Sequence, residues 1–156
     1  MSLPSPETAL FHGEPAYRVA VQVPEADEAR LRAAILAADS LKYGDYDSVT
    51  FTTQPGIQRY RSLGTGRNAP SGGVVEVPCA ELAFLVPRDP AVLTQVLQAI
   101  HQVHPYEEPV VVVTEALRTR HVPGSVEDNP NKFWNRPEAD WVPGDLRTAG
   151  PAGDKS

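Results

Sequence analysis

The chain has 156 residues and a mass of 16.9 kDa, the size of one domain with an extension. Apolar residues make up 41% and charged residues 22%, enough for a core, so a generally disordered chain is excluded. The formal net charge of -6 argues against broad electrostatic binding to nucleic acid or to an anionic membrane. Apolar runs such as Leu82 to Val86 fall far below the ~20 residues of a bilayer-spanning helix. No Lys or Arg precedes Arg18 and no signal-like apolar stretch is present, so secretion by the usual signal is not expected. The single cysteine, Cys79, excludes an intrachain disulfide and a Cys-based zinc cluster, and a reducing cytoplasm is the simplest compartment.

Sixteen prolines punctuate the chain, and two windows without them read as helices. Tyr17 to Val23 is a strand, with Val19, Val21 and Val23 alternating. Glu25 to Asp39 is a helix whose Leu31, Ala34, Ile35 and Ala38 share one face, with Glu25, Asp27 and Glu28 favourably placed in its first turn. Asp47 to Thr53 is a strand. Gln54 to Gly73 holds five of the eleven glycines and reads as a long loop or hairpin. Val74 to Val77 is a short arm, and Glu81 to Val86 a strand leading to a second helix over Pro90 to Val103. Asp89 suits its N-cap and Pro90 its first position. His104 precedes Pro105 and leaves helical geometry. Val110 to Glu115 is the last strand, opened by Pro109. The order of strands and helices predicts an α+β, ferredoxin-like split βαβ fold over residues 17–117. Residues 1–16 form an N-terminal extension. Residues 118–156 form an irregular one, with Trp134 and Trp141 anchoring 129–142 on the core and 144–156 mobile.

Val110 to Val113 are four consecutive valines, so both faces of that strand are apolar; Leu82 to Val86 repeat the pattern. Two helices cover one face of such a sheet, and the other needs the extension or further copies of the chain.

The most specific string is His104-Pro105-Tyr106-Glu107-Glu108-Pro109. It resembles the HPYEEP signature of the domain inserted in the NGG-interacting factor three family, also described as GTP cyclohydrolase type 2 homologues. Tyr43-Gly44-Asp45-Tyr46-Asp47 resembles that family's G-N-Y-D region with Asp45 in place of Asn. Gly64-Thr65-Gly66 resembles its G-T-G loop, and Gly72-Gly73-Val74-Val75-Glu76 loosely its G-E-V-G-E stretch. The resemblance spans Tyr17 to Leu117 and implies a stand-alone version of the inserted domain. It also implies a fold similar to PII signalling proteins and the CutA family, both homotrimers. The family's dinuclear metal site, built on paired histidines, does not carry over: His12, His101, His104 and His121 form no adjacent pair.

Two candidate sites follow. His101, His104, Glu107 and Glu108 lie within about one turn of each other and offer imidazole and carboxylate to a divalent metal ion, which would also serve a metal-assisted hydrolase. The plainer role for His104 and Tyr106 is to shape the helix-to-strand turn. Gly64, Thr65, Gly66 and Arg67, with Tyr46, are candidates to bind a small anionic ligand or nucleotide through backbone N–H groups, as PII proteins do beside subunit clefts. No G-K-[S/T] follows the loop, so it is not a P-loop, and a bare exposed hairpin is its plainer reading. Cys79 has no basic neighbour in sequence and reads as a buried, unreactive thiol. The expected function is an oligomeric ligand-sensing or protein-interaction module without its own catalytic centre. A structural subunit bridged by its tail is the third reading, and the Trp134 region is a candidate surface for a protein partner.

Overall fold

The computed structural model describes residues 3–137, 139 and 143–146. Among these residues, five strands and two α-helices follow in the order β1 (Phe11–Pro24), α1 (Glu28–Ala38), β2 (Thr50–Thr52), β3 (Gly56–Tyr60), β4 (Val75–Pro87), α2 (Pro90–Val103) and β5 (Val111–His121). A single 3-10 turn, Glu25–Asp27, leads into α1. The sheet is antiparallel with the strand order β2-β4-β1-β5, and β3 lies on the same side of β4 as β2, further along it. This is the expected ferredoxin-like arrangement, with its second strand split into β2 and β3.

Alternation along the strands separates the two faces. Val19, Val21 and Val23 of β1 and Leu82, Phe84 and Val86 of β4 point to the helices. They close a core with Leu31 and Ile35 of α1 and Val96 and Ile100 of α2. Asp89 caps α2 through its Oδ1, which accepts from the Ala91 N–H at 2.9 Å. The helix ends at His104, whose backbone is extended (φ -61, ψ 136) ahead of Pro105.

The sheet is longer than the sequence suggests. β1 starts at Phe11 rather than Tyr17, because Gly13 and Pro15 do not interrupt it. Pairing with β4 begins only at Ala16, opposite Pro87, so Pro15 has a strand on one side alone, where a missing N–H is tolerated. Pro78 likewise sits in β4 just beyond the last β1 pair, Pro24–Cys79, and the two arms expected around it are one strand. β2 is only three residues long, and Gly56–Tyr60, within the segment expected as a long loop or hairpin, is paired with Cys79 to Val75, so the hairpin alternative holds there. β5 continues to His121, and Arg118, expected to start the extension, is a buried sheet residue.

Among the described residues the second face is left partly exposed. The register aligns Phe51, Ala83, Ala20 and Val112 in one row across all four strands of the β2-β4-β1-β5 path on the side away from the helices. Phe51 is 69% and Val112 54% exposed, so the described part of the extension does not cover them. That part folds locally: Trp134 Nε1 and Asn135 Nδ2 donate to the Glu127 carbonyl at 2.9 and 2.7 Å, and Phe133 meets Trp134 edge-on. Trp141 and residues 147–156, part of the segment expected to be mobile, lie outside the described residues; 144–146 form a short 3-10 turn.

Candidate functional site

The turn after α2 is tied to three strands by a closed ring of polar contacts. His104 is 7% exposed, and its Nε2 lies 2.7 Å from the Gln22 carbonyl of β1. Its Nδ1 accepts from the Tyr106 N–H at 3.1 Å, so Nε2 carries the proton and donates. The Tyr106 hydroxyl meets the Cys79 thiol of β4 at 3.7 Å, and that thiol donates to Gln58 Oε1 of β3 at 3.7 Å. Gln58 Nε2 donates to Gln22 Oε1 at 2.9 Å and closes the ring. Tyr60 stands over the Tyr106 ring with centroids 6.3 Å apart. Burial, and then the hydrogen bond to Cys79, push the Tyr106 phenol well above its ordinary value, so it stays protonated. A shallow groove of about 300 Å³ opens beside the ring, lined by Gln22, Thr53, Gly56, Gln58, Cys79 and Glu81.

This geometry separates the four expected metal ligands. Both ring nitrogens of His104 are committed to the backbone, and the side chain turns inward. His101 stays on the exposed last turn of α2, and Glu107 and Glu108 are exposed. Among the described residues no group of three or more His, Cys, Asp or Glu side chains is arranged to hold a metal ion. The structural role of His104 and Tyr106 in the turn accounts for the string, and the extended backbone before Pro105 is what sends His101 and His104 in different directions.

The glycine loop does meet the turn. Arg67 N–H donates to Glu107 Oε2 at 3.0 Å, and the carboxylate lies against Gly66, where a Cβ would sit 2.7 Å from that oxygen. Gly64 has φ +81, and a Cβ there would come within 2.4 Å of the Pro70 ring, so the turn demands glycine. Ser62 and Ser71 close the loop base through two hydrogen bonds of 2.9 and 3.1 Å. Tyr46 is not part of this cluster. It lies in a tight Tyr43–Tyr46 turn near the other end of β1, where Arg118 stacks on Tyr43. Glu14, which pairs with Arg118, and Gln22, which holds His104, are eight residues apart on β1, about 26 Å at ~3.3 Å per residue.

That far end holds a charge cluster that sequence reading missed. Arg118, with only 4% of its side chain exposed, donates to Glu14 Oε2 at 2.9 Å and to the Lys42 carbonyl at 3.2 Å. Arg120 donates to the same Glu14 oxygen at 2.9 Å. Burial opposes the charge on Glu14, but the two arginines outweigh it and hold the carboxyl below the usual range. Gln22 and Gln58 were also missed, since two glutamines 36 positions apart carry no local signal.

No protein-family model matches the sequence, and no curated protein matches it. Among solved structures, a Bacillus cereus protein related to NIF3 superposes with a TM-score of 0.55 at 21% identity, over 69% of this chain and 27% of that one. Weaker superpositions are found with CutA1 proteins. CutA1 of Ehrlichia chaffeensis aligns over 65% of this chain and 80% of its own, with a TM-score of 0.49 and 10% identity. CutA1 of Oryza sativa aligns over 70% and 84%, with a TM-score of 0.49 and 16% identity. This chain spans about a quarter of the NIF3-related protein, and at these identities the likeness is one of fold. No helix among the described residues is long and apolar enough to cross a membrane.

Proposed function

We propose that this chain is an oligomeric CutA/PII-like module, a homotrimer that senses a small anionic ligand or nucleotide, or shows a surface to a protein partner, without a catalytic centre of its own. The observation that carries the reading is the apolar row Phe51, Ala83, Ala20 and Val112, whose two ends, Phe51 and Val112, are exposed. Phe51 alone leaves about 140 Å² in water (69% of about 200 Å²), a transfer contribution of about 3.5 kcal/mol on burial, before the entropic cost of association is subtracted. Three-fold assembly follows from the resemblance to PII and CutA proteins, and a stand-alone version of the domain inserted in NGG-interacting factor three proteins fits both the HPYEEP string and the NIF3-related superposition. Cytoplasmic residence suits a chain whose one cysteine is buried and unpaired.

Ligand binds where the Gly64 loop meets the His104 turn, beside a subunit boundary, and Tyr46 reaches that cleft only from a neighbouring copy. Loop rearrangement on binding then changes the surface offered to a partner. The metal-dependent alternatives draw no support from the divergent His101 and His104. Phe51→Asp in the full chain tests the reading: the wild-type chain runs as an assembly, and the variant, folded by circular dichroism, runs as single chains. A variant that keeps the wild-type mass overturns it.

A further inference from the structure

The glycine loop already holds an anion, and it belongs to the chain itself. Glu107 places its carboxylate on the Gly66–Arg67 backbone, accepting from the Arg67 N–H at 3.0 Å with Gly66 packed flat beneath it. Only glycine leaves room for that seat. Arg59 is neutralised by Glu76 at 2.9 Å, whereas Arg61 and Arg67, on either side of the loop, form no side-chain ion pair among the described residues. Arg61 and Arg67 lie near the seat in sequence, in a chain of net charge -6.

We propose that the Gly66–Arg67 seat is an oxyanion site kept closed by Glu107, and that a free oxyanion such as inorganic phosphate binds by displacing this tethered carboxylate. The inference rests on the ligand-sensing reading but not on the trimer. Glu107 acts as an internal competitor whose effective concentration is set by its short tether through Tyr106 and the His104 anchor. Release of Glu107 also breaks the hydrogen bond that joins the loop to the turn after α2, so occupancy of the seat is read out as loop movement.

The test is a phosphate titration of the full-length protein followed at the Arg67 amide by NMR, at constant ionic strength, with chloride as the control. Glu107→Gln removes the competitor's charge and should bind phosphate about tenfold more tightly than wild type, the factor given by a charge-assisted hydrogen bond worth about 1.4 kcal/mol. Gly66→Ala in the Glu107→Gln background fills the seat with a Cβ and should abolish the binding. Equal phosphate affinity in wild type and Glu107→Gln overturns the proposal. So does binding that Gly66→Ala leaves intact, or a response that chloride reproduces. The mass of the same samples by light scattering keeps the two readings apart: a monomer that binds phosphate in this pattern fails the trimer reading and retains this one.

Discussion

His104→Phe separates a structural histidine from a ligand. The phenyl ring is larger than the imidazole, so no cavity opens beneath the turn, and any overpacking adds to the loss. What it removes is both hydrogen bonds, leaving the Gln22 carbonyl and the Tyr106 N–H without partners. At 7% exposure little water can replace them. Each unpaired group costs about 1–3 kcal/mol, and the Tyr106 N–H, beside a half-buried ring, falls at the low end, giving about 2–4 kcal/mol in all. His104→Gln can still donate toward Gln22 and should lose about half as much. Urea denaturation at a fixed protein concentration, with an unchanged m-value, measures both losses. A His104→Phe chain within 0.5 kcal/mol of wild type would refute the polar ring as the support of the turn.

Three further outcomes follow from the same structure. Glu14 has a folded-state carboxyl below its ordinary value near 4.5, so its contribution is present above that range and is lost as pH falls through the lowered value; the stability gap between wild type and Glu14→Gln should be widest at neutral pH and narrow as the solution is acidified past the ordinary carboxylate range. Asp89→Ala removes the cap of α2 and should cost about 1 kcal/mol in thermal or urea unfolding, with Asp89→Ser recovering most of it. A chain ending after Val122 keeps β5 intact and, if the bare sheet face drives assembly, keeps the wild-type oligomeric state in sedimentation; dissociation would favour the tail-bridged subunit instead.

How much was legible depended on whether the signal was local. The α2 span was readable to the residue because Asp89, Pro90 and the His104-Pro105 pair mark both ends by chemistry that acts within one turn. The core stripes were readable because a one-sided strand shows its period directly, as Val19, Val21 and Val23 do. Prolines misled where their cost depends on a neighbour: Pro15 and Pro78 each lie where one flanking strand has already ended, which no local pattern encodes. Polar β3 pairs along one side only, so the sequence left its segment open between loop and hairpin. The glycine loop and the HPYEEP string were each visible, but not that Glu107 joins them across 40 residues, nor that Gln22 and Gln58 complete the ring around Cys79. Arg118 looked like the start of a polar tail because a buried arginine is told from an exposed one only by its partner, here Glu14, 104 positions earlier.

The mass of the purified wild-type chain in solution bears most directly on the exposed Phe51–Val112 face. Light scattering across a wide concentration range should return three times 16.9 kDa, about 51 kDa, down to low micromolar protein. A constant 16.9 kDa at millimolar protein would contradict the account, because a sheet face that stays in water at that concentration has no copy of itself to meet.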